Sequence, residues 1–211
     1  MFTLIKREIQ DQMIYFIAAV IYVAIFIIVM VKTAYQTDSE YLLQVVISIG
    51  TLAGIIALLV ICAMGVTQMY LDRTRKISAF LSTLTVSRGR ILLARIITGI
   101  LVILIMFGPL VIAALILMRL FPDAPVPIIP GLIFDISVTM FLMAFSCYCI
   151  GLQTGWTSNA IIPTFGAFGL TCVFIPLVLV KGFGPPVIII LILFIIVSLI
   201  RTWQTFKSIS L

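Results

Sequence analysis

A helix needs roughly 20 apolar residues to cross a hydrocarbon layer about 30 Å thick. This chain contains six apolar runs of about that length, at residues 14–31, 42–69, 91–118, 131–150, 161–180 and 187–200. Within 211 residues they leave room for short connections and for no separate soluble domain. Composition agrees: 9% of the residues are charged and 64% hydrophobic, where soluble proteins carry about a quarter charged residues. The expected fold is all-α integral membrane with six transmembrane helices, forming one transmembrane domain over residues 1–211. In that reading residues 1–13 are an interfacial helix, 14–69 spans one and two, 70–90 a polar helical region, 91–203 spans three to six, and 204–211 a cytoplasmic tail.

The long polar interruption falls at residues 70–95, which hold Arg73, Arg75, Lys76, Arg88, Arg90 and Arg95 against the single acid Asp72. Such a segment stays in the cytoplasm by the positive-inside rule. Both termini are then cytoplasmic. Lys6, Arg7, Arg201, Lys207 and those six make ten basic residues inside, against Lys32, Arg119 and Lys181 outside. The net charge of +6 lies beside apolar runs, where it sets topology and meets anionic lipid headgroups, so nucleic acid is not an expected partner.

Phe2, Ile5, Ile9 and Met13 recur at helical spacing, with Lys6, Arg7, Glu8, Gln10, Asp11 and Gln12 between them. This predicts an amphipathic helix in the headgroup plane, with an Arg7–Asp11 pair on its wet side. The run after it has no small-residue cleavage site, so a retained first helix is expected. In span two, Gly50 and Gly54 form a small-xxx-small pair that admits a close helix neighbour. Gly108-Pro109 predicts a kink in span three. Loops are expected at 32–41 and at the proline-rich 119–130. Further loops are expected at the uncharged 151–159 and at 181–186, the last being too rich in glycine and proline for regular helix.

Asp135 is the one acid at expected membrane depth, roughly 6 Å in from the outer end of span four. It is a candidate pathway residue or an interfacial carboxylate that reaches water or Arg119. Cys62, Cys147, Cys149 and Cys172 all fall within spans, and Cys147 and Cys149 point about 200° apart on a helix. With no histidine in the chain, buried packing is expected for them rather than a metal site. No convergent nucleophile and base is visible, so neither catalytic residues nor a membrane-embedded enzyme is expected.

Ile77, Phe80, Leu81 and Leu84 follow the i, i+3, i+4, i+7 template of an apolar helix face. Arg73, Arg75 and Lys76 crowd the start of that helix, and Ser87 is placed to cap span three. A basic amphipathic helix of this kind either lies on anionic lipid or sets an apolar ridge, anchored by Phe80, into a partner's groove.

The layout of amphipathic helix, two spans, arginine-bearing helix and four further spans resembles the permease subunit of ABC-2 type transporters. So does the run Phe80-Leu81-Ser82-Thr83-Leu84-Thr85-Val86-Ser87-Arg88. Lys76, Ala79 and Thr85 stand where that family usually has glycine, glutamate and proline. The resemblance implies a coupling helix docked on a separate ATPase subunit through Arg73, Arg75, Lys76, Ile77, Phe80, Leu81, Leu84 and Arg88. The chain itself has no G-x-x-x-x-G-K-[ST] phosphate loop, so it would bind no cofactor, with ATP-Mg on the partner. A second permease copy, identical or not, would complete the pathway in a bacterial or archaeal cytoplasmic membrane. An amphiphilic or hydrophobic cargo, moved outward, fits a family of exporters and a chain without deep charges. The alternative is a non-transporting scaffold or sensor subunit of a membrane complex.

Overall fold

The computed structural model describes residues 2–36, 39–75, 88–120, 130–155, 165, 168–169, 171–173 and 185–208. Among them the elements are all helices: α1 (Phe2–Asp11), α2 (Met13–Gln36), α3 (Ser39–Arg75), α4 (Arg88–Leu120), α5 (Pro130–Thr154) and α6 (Pro185–Ser208). Helices α2 to α6 are each long and apolar enough to cross a membrane, which makes the chain an integral membrane protein. Most of the expected span five at 161–180 falls outside the described residues, and all of residues 76–87 do, with Lys76, Ile77, Phe80, Leu81, Leu84 and Ser87.

The amphipathic N-terminus is a helix of its own. Gln12 closes α1 and opens α2: its N–H donates to the Glu8 carbonyl at 3.0 Å, and its carbonyl accepts from Tyr15 at 2.9 Å. Arg7 and Asp11 lie 3.9 Å apart on α1.

Several connections are shorter than the residue types suggest. Helix α2 continues to Gln36 and α3 begins at Ser39, so most of the loop expected at 32–41 is helical. The loop expected at 151–159 starts four residues late, because Gly151–Thr154 are the last turn of α5. Pro185 and Pro186, assigned above to a turn, open α6 instead. The first helical turn needs no backbone N–H, so proline fits there at no cost in hydrogen bonds. One helix, α4, runs through Pro109.

Side-chain contacts fix the direction of each helix. Tyr15 at the start of α2 meets Thr67 near the end of α3, with the hydroxyls 3.0 Å apart. Tyr148 near the end of α5 donates to the Arg95 carbonyl near the start of α4. Gln153 near the end of α5 donates to the Ser198 hydroxyl of α6 at 2.7 Å and to its carbonyl at 3.0 Å. Trp203, later still in α6, covers Gly89 at the start of α4. Thus α3, α5 and α6 all end where α1 lies and where α2 and α4 begin, and α5 runs parallel to α6.

Helix α5 is the centre of the bundle, packed most extensively against α3 and then α6. That explains why Cys147 and Cys149, on opposite sides of α5, are both fully buried, as is Cys62 on α3. Cys172 is the exception, an exposed thiol. Helix α2 and one side of α6 present isoleucine, leucine and valine outward, the surface an apolar solvent requires.

Candidate functional site

The α3–α5 contact is made by glycine. Built onto Gly65, a Cβ would lie 2.6 Å from the Tyr148 carbonyl oxygen and 3.0 Å from the Leu152 nitrogen. On Gly151 it would overlap the Cys62 carbonyl oxygen and sit 3.0 Å from the Val66 nitrogen. On Gly155 it would lie 2.6 Å from Met69 Cβ and 2.7 Å from the Val66 carbonyl oxygen. Only hydrogen fits at these three positions, and the two backbones touch. Gly50 and Gly54, the pair singled out above, are elsewhere. No described atom comes within 4 Å of a Cβ on Gly50, and Gly54 meets only the Met140 methyl at 3.9 Å.

Just beyond this seam the apolar interior gives way to a polar hub. Arg95, on the second turn of α4, is 2% exposed. Its Nε donates to Glu8 Oε1 of α1 at 3.3 Å, and its Nη1 lies 3.5 Å from the Met69 sulfur of α3. The fully buried Tyr148 hydroxyl shares its one proton between Gln68 Oε1 of α3 at 2.6 Å and the Arg95 carbonyl at 3.0 Å. Gly99, one turn after Arg95, is what admits this tyrosine: a Cβ there would lie 2.7 and 2.8 Å from ring carbons Cε1 and Cε2. Gln12, at the α1–α2 elbow, is buried in the same end of the bundle. Its Oε1 and the Nε2 of Gln68 have no hydrogen-bond partner among the described residues.

A single hub therefore joins α1, α3, α4 and α5. Its energetics favour a fixed ion pair over a free cation. Stripping one partner from a buried pair costs about 3–5 kcal/mol, because the other charge stays desolvated. Arg95, counted above with the cytoplasmic cations, is thus a buried charge inside the Gly89–Ala113 span segment. It lies about 9 Å along the helix from Gly89.

The hub lies within about two turns of the ends of α3 and α4 that flank residues 76–87. Arg73 and Arg75 are on the last turn of α3 and Arg88 opens α4. Asp135 sits half-buried near the start of α5, at the opposite end of the bundle from the hub, and takes no part in it. Among the described residues no group of three or more His, Cys, Asp or Glu converges as metal ligands would.

The sequence carried a signal for the hub that the charge count absorbed. In Ile91-Leu92-Leu93-Ala94-Arg95-Ile96-Ile97 the arginine stands inside an apolar run rather than beside it, and a charge so placed needs a partner. Glu8, its partner 87 positions away, reads locally as one of the wet residues of α1. The seam had a signal too: Gly151 and Gly155 are themselves a small-xxx-small pair, hidden by assigning them to a loop.

Comparison of the chain with protein-family models, with curated proteins and with solved structures found no match.

Proposed function

We propose that the chain is the membrane-spanning permease subunit of an ATP-driven transporter of the ABC-2 type, with six spans, both termini cytoplasmic, and residues 70–90 as the segment that docks on a separate ATPase. The observation that carries this reading is the bracket around that segment. The helices on either side of it, α3 and α4, are tied by the Arg95 hub to α1 and α5, so a push delivered there reaches most of the bundle.

The helix directions support the sixth span. Helices α5 and α6 run parallel, and the 30 residues 155–184 between them are enough for a return crossing, which takes about 20. Thr171 supports the same path, for its hydroxyl lies 3.5 Å from the sulfur of Cys62, midway along the Gly50–Leu71 span segment. Both termini then share the end that carries Lys6, Arg7, Arg90 and Arg201, which the positive-inside rule assigns to the cytoplasm. Nucleotide chemistry belongs to the partner subunit, and a second permease copy, identical or not, completes the pathway. The cargo class that suits the apolar spans is amphiphilic or hydrophobic, with outward transport.

The test is copurification. Wild-type chain should bring down an ATPase subunit and move cargo in vesicles only when ATP is supplied. Phe80→Asp should lose the ATPase while still inserting. Normal association of that variant sinks the docking role, and a stable ATPase complex that moves nothing would favour the scaffold or sensor alternative.

A further inference from the structure

We infer that Cys62 of α3 and Cys147 of α5 form a two-thiol site for a soft, two-coordinate metal ion of the mercuric type, seated by the hydroxyl of Thr171. The inference does not rest on the transport reading, since it concerns side chains inside the bundle.

Three observations bring the thiols together. The first is register. A Cβ on Gly65 would meet the Tyr148 carbonyl, one on Gly151 would meet the Cys62 carbonyl, and α3 and α5 run in the same direction. Cys62, three residues before Gly65, and Cys147, four before Gly151, therefore stand at one level of the bundle. The second is facing. Cys62 lies about 60° around α3 from Gly65, and Cys147 about 40° around α5 from Gly151, so both side chains leave their helices on the side turned to the seam. The third is a shared partner. The Thr171 hydroxyl donates to the Cys62 sulfur at 3.5 Å and is also a hydrogen-bond partner of Cys147. All three side chains are fully buried.

The donor set suits few ions. The chain has no histidine, and among the described residues no third Cys, Asp or Glu joins the pair as a ligand. Zinc takes four ligands and calcium six or more oxygens, whereas thiolates select soft ions. Among soft ions, burial favours the one whose charge two thiolates cancel, because an unbalanced charge in an apolar interior is costly. A mercuric ion meets that condition and is satisfied by two opposed sulfurs. Binding breaks both S–H bonds, forms two metal–sulfur bonds and releases two protons, with nothing oxidised or reduced. A cuprous ion in the same place would leave a net negative charge. The remaining thiols have other surroundings. Cys149, on the opposite side of α5, bonds Ser198 of α6. Cys172, next to Thr171 in the chain, is exposed, which makes it the first thiol that an arriving ion meets and hands on by ligand exchange.

The experiment uses the full chain in lipid nanodiscs, reduced with a phosphine, desalted and titrated with mercuric chloride in an excess of a monothiol, which strips ions held by a single sulfur. Bound metal is counted by mass spectrometry after a second desalting. Wild type and Cys149→Ser should each keep one ion per chain, and Cys172→Ser should reach the same level more slowly. Cys62→Ala and Cys147→Ala should each bind at least about a hundredfold more weakly, the loss of two-point attachment. X-ray absorption at the mercury edge checks the ligand set of loaded wild type without any variant and should find two sulfur neighbours. The site is overturned if Cys149→Ser or Cys172→Ser loses the ion, or if the alanine variants keep it, since the metal would then be an adventitious ion only. Three or more sulfur neighbours, or a metal-linked dimer on size exclusion, overturn it equally.

Discussion

The α3–α5 seam and the Arg95 hub lie within two helical turns of each other and hold the same helices by opposite means. At the seam, Gly65, Gly151 and Gly155 remove every side-chain atom between the backbones. Membrane helices gain nothing from burying apolar surface against one another, so this closeness of packing is the main source of their association. At the hub, the side chains of Glu8, Arg95, Gln68 and Tyr148 join helices through directional bonds, one of them to the Arg95 carbonyl. The seam rests on backbone closeness, whereas the hub rests on matched donors, acceptors and charge. The bundle thus has a close-packed spine and a polar end.

The largest effect should come from breaking the spine. Gly151→Leu puts a side chain into the Cys62 carbonyl and the Val66 backbone, and neither can move without separating α3 from α5. We expect a loss of about 3 kcal/mol or more, seen as a collapsed thermal melt and aggregation on size exclusion in detergent. A melt close to wild type would mean that the seam is not the spine.

Tyr148→Phe acts on the hub and should cost less. It keeps the ring in the space Gly99 leaves for it but takes the hydroxyl from Gln68, whose amide nitrogen already has no partner among the described residues. A loss of about 1–2 kcal/mol is expected, measured by melting in the same detergent. A larger loss than Gly151→Leu would reverse the order of the two regions. Gln153→Leu, which removes the two bonds to Ser198, should cost about 0.5–1 kcal/mol. Its target is the α5–α6 contact outside both regions, so an effect as large as that of Tyr148→Phe would extend the polar end of the bundle to α6.

What the sequence made legible follows the range of the physics involved. The helices follow from runs of apolar residues and the separate α1 from a spacing of three and four, both local patterns. The seam depends on which face of α3 meets which face of α5, and Gly65 and Gly151, 86 positions apart, carry no local trace of that choice. Gly50-xxx-Gly54 and Gly151-xxx-Gly155 are the same pattern, yet among the described residues only the second lies in a tight contact. The hub was obscured differently. Arg95 satisfies the positive-inside rule as a flanking cation and the intramembrane rule as a buried one, and only its partner Glu8 decides between them. The start of the loop expected at 151–159 differs because an uncharged Gly-Leu-Gln-Thr-Gly run resembles a turn, whereas close packing gives Gly151 a reason to be helical.

The smallest effect discriminates most sharply, because the same chemical change can be made at both glycine pairs. Gly50→Ala and Gly54→Ala add a methyl where no described atom closer than 3.9 Å opposes it. Alanine is favoured over glycine in a helix interior by up to about 1 kcal/mol. These two variants should therefore melt at or slightly above the wild-type temperature, while Gly65→Ala and Gly151→Ala melt well below it. The contrast holds propensity constant and varies only what the new methyl meets. Should Gly50→Ala instead destabilise the protein, the face of α3 bearing Gly50 and Gly54 must be covered by something outside the described residues. Repeating the melt across a range of protein concentrations would then tell a second copy, whose effect fades on dilution, from a segment of the same chain, whose effect does not.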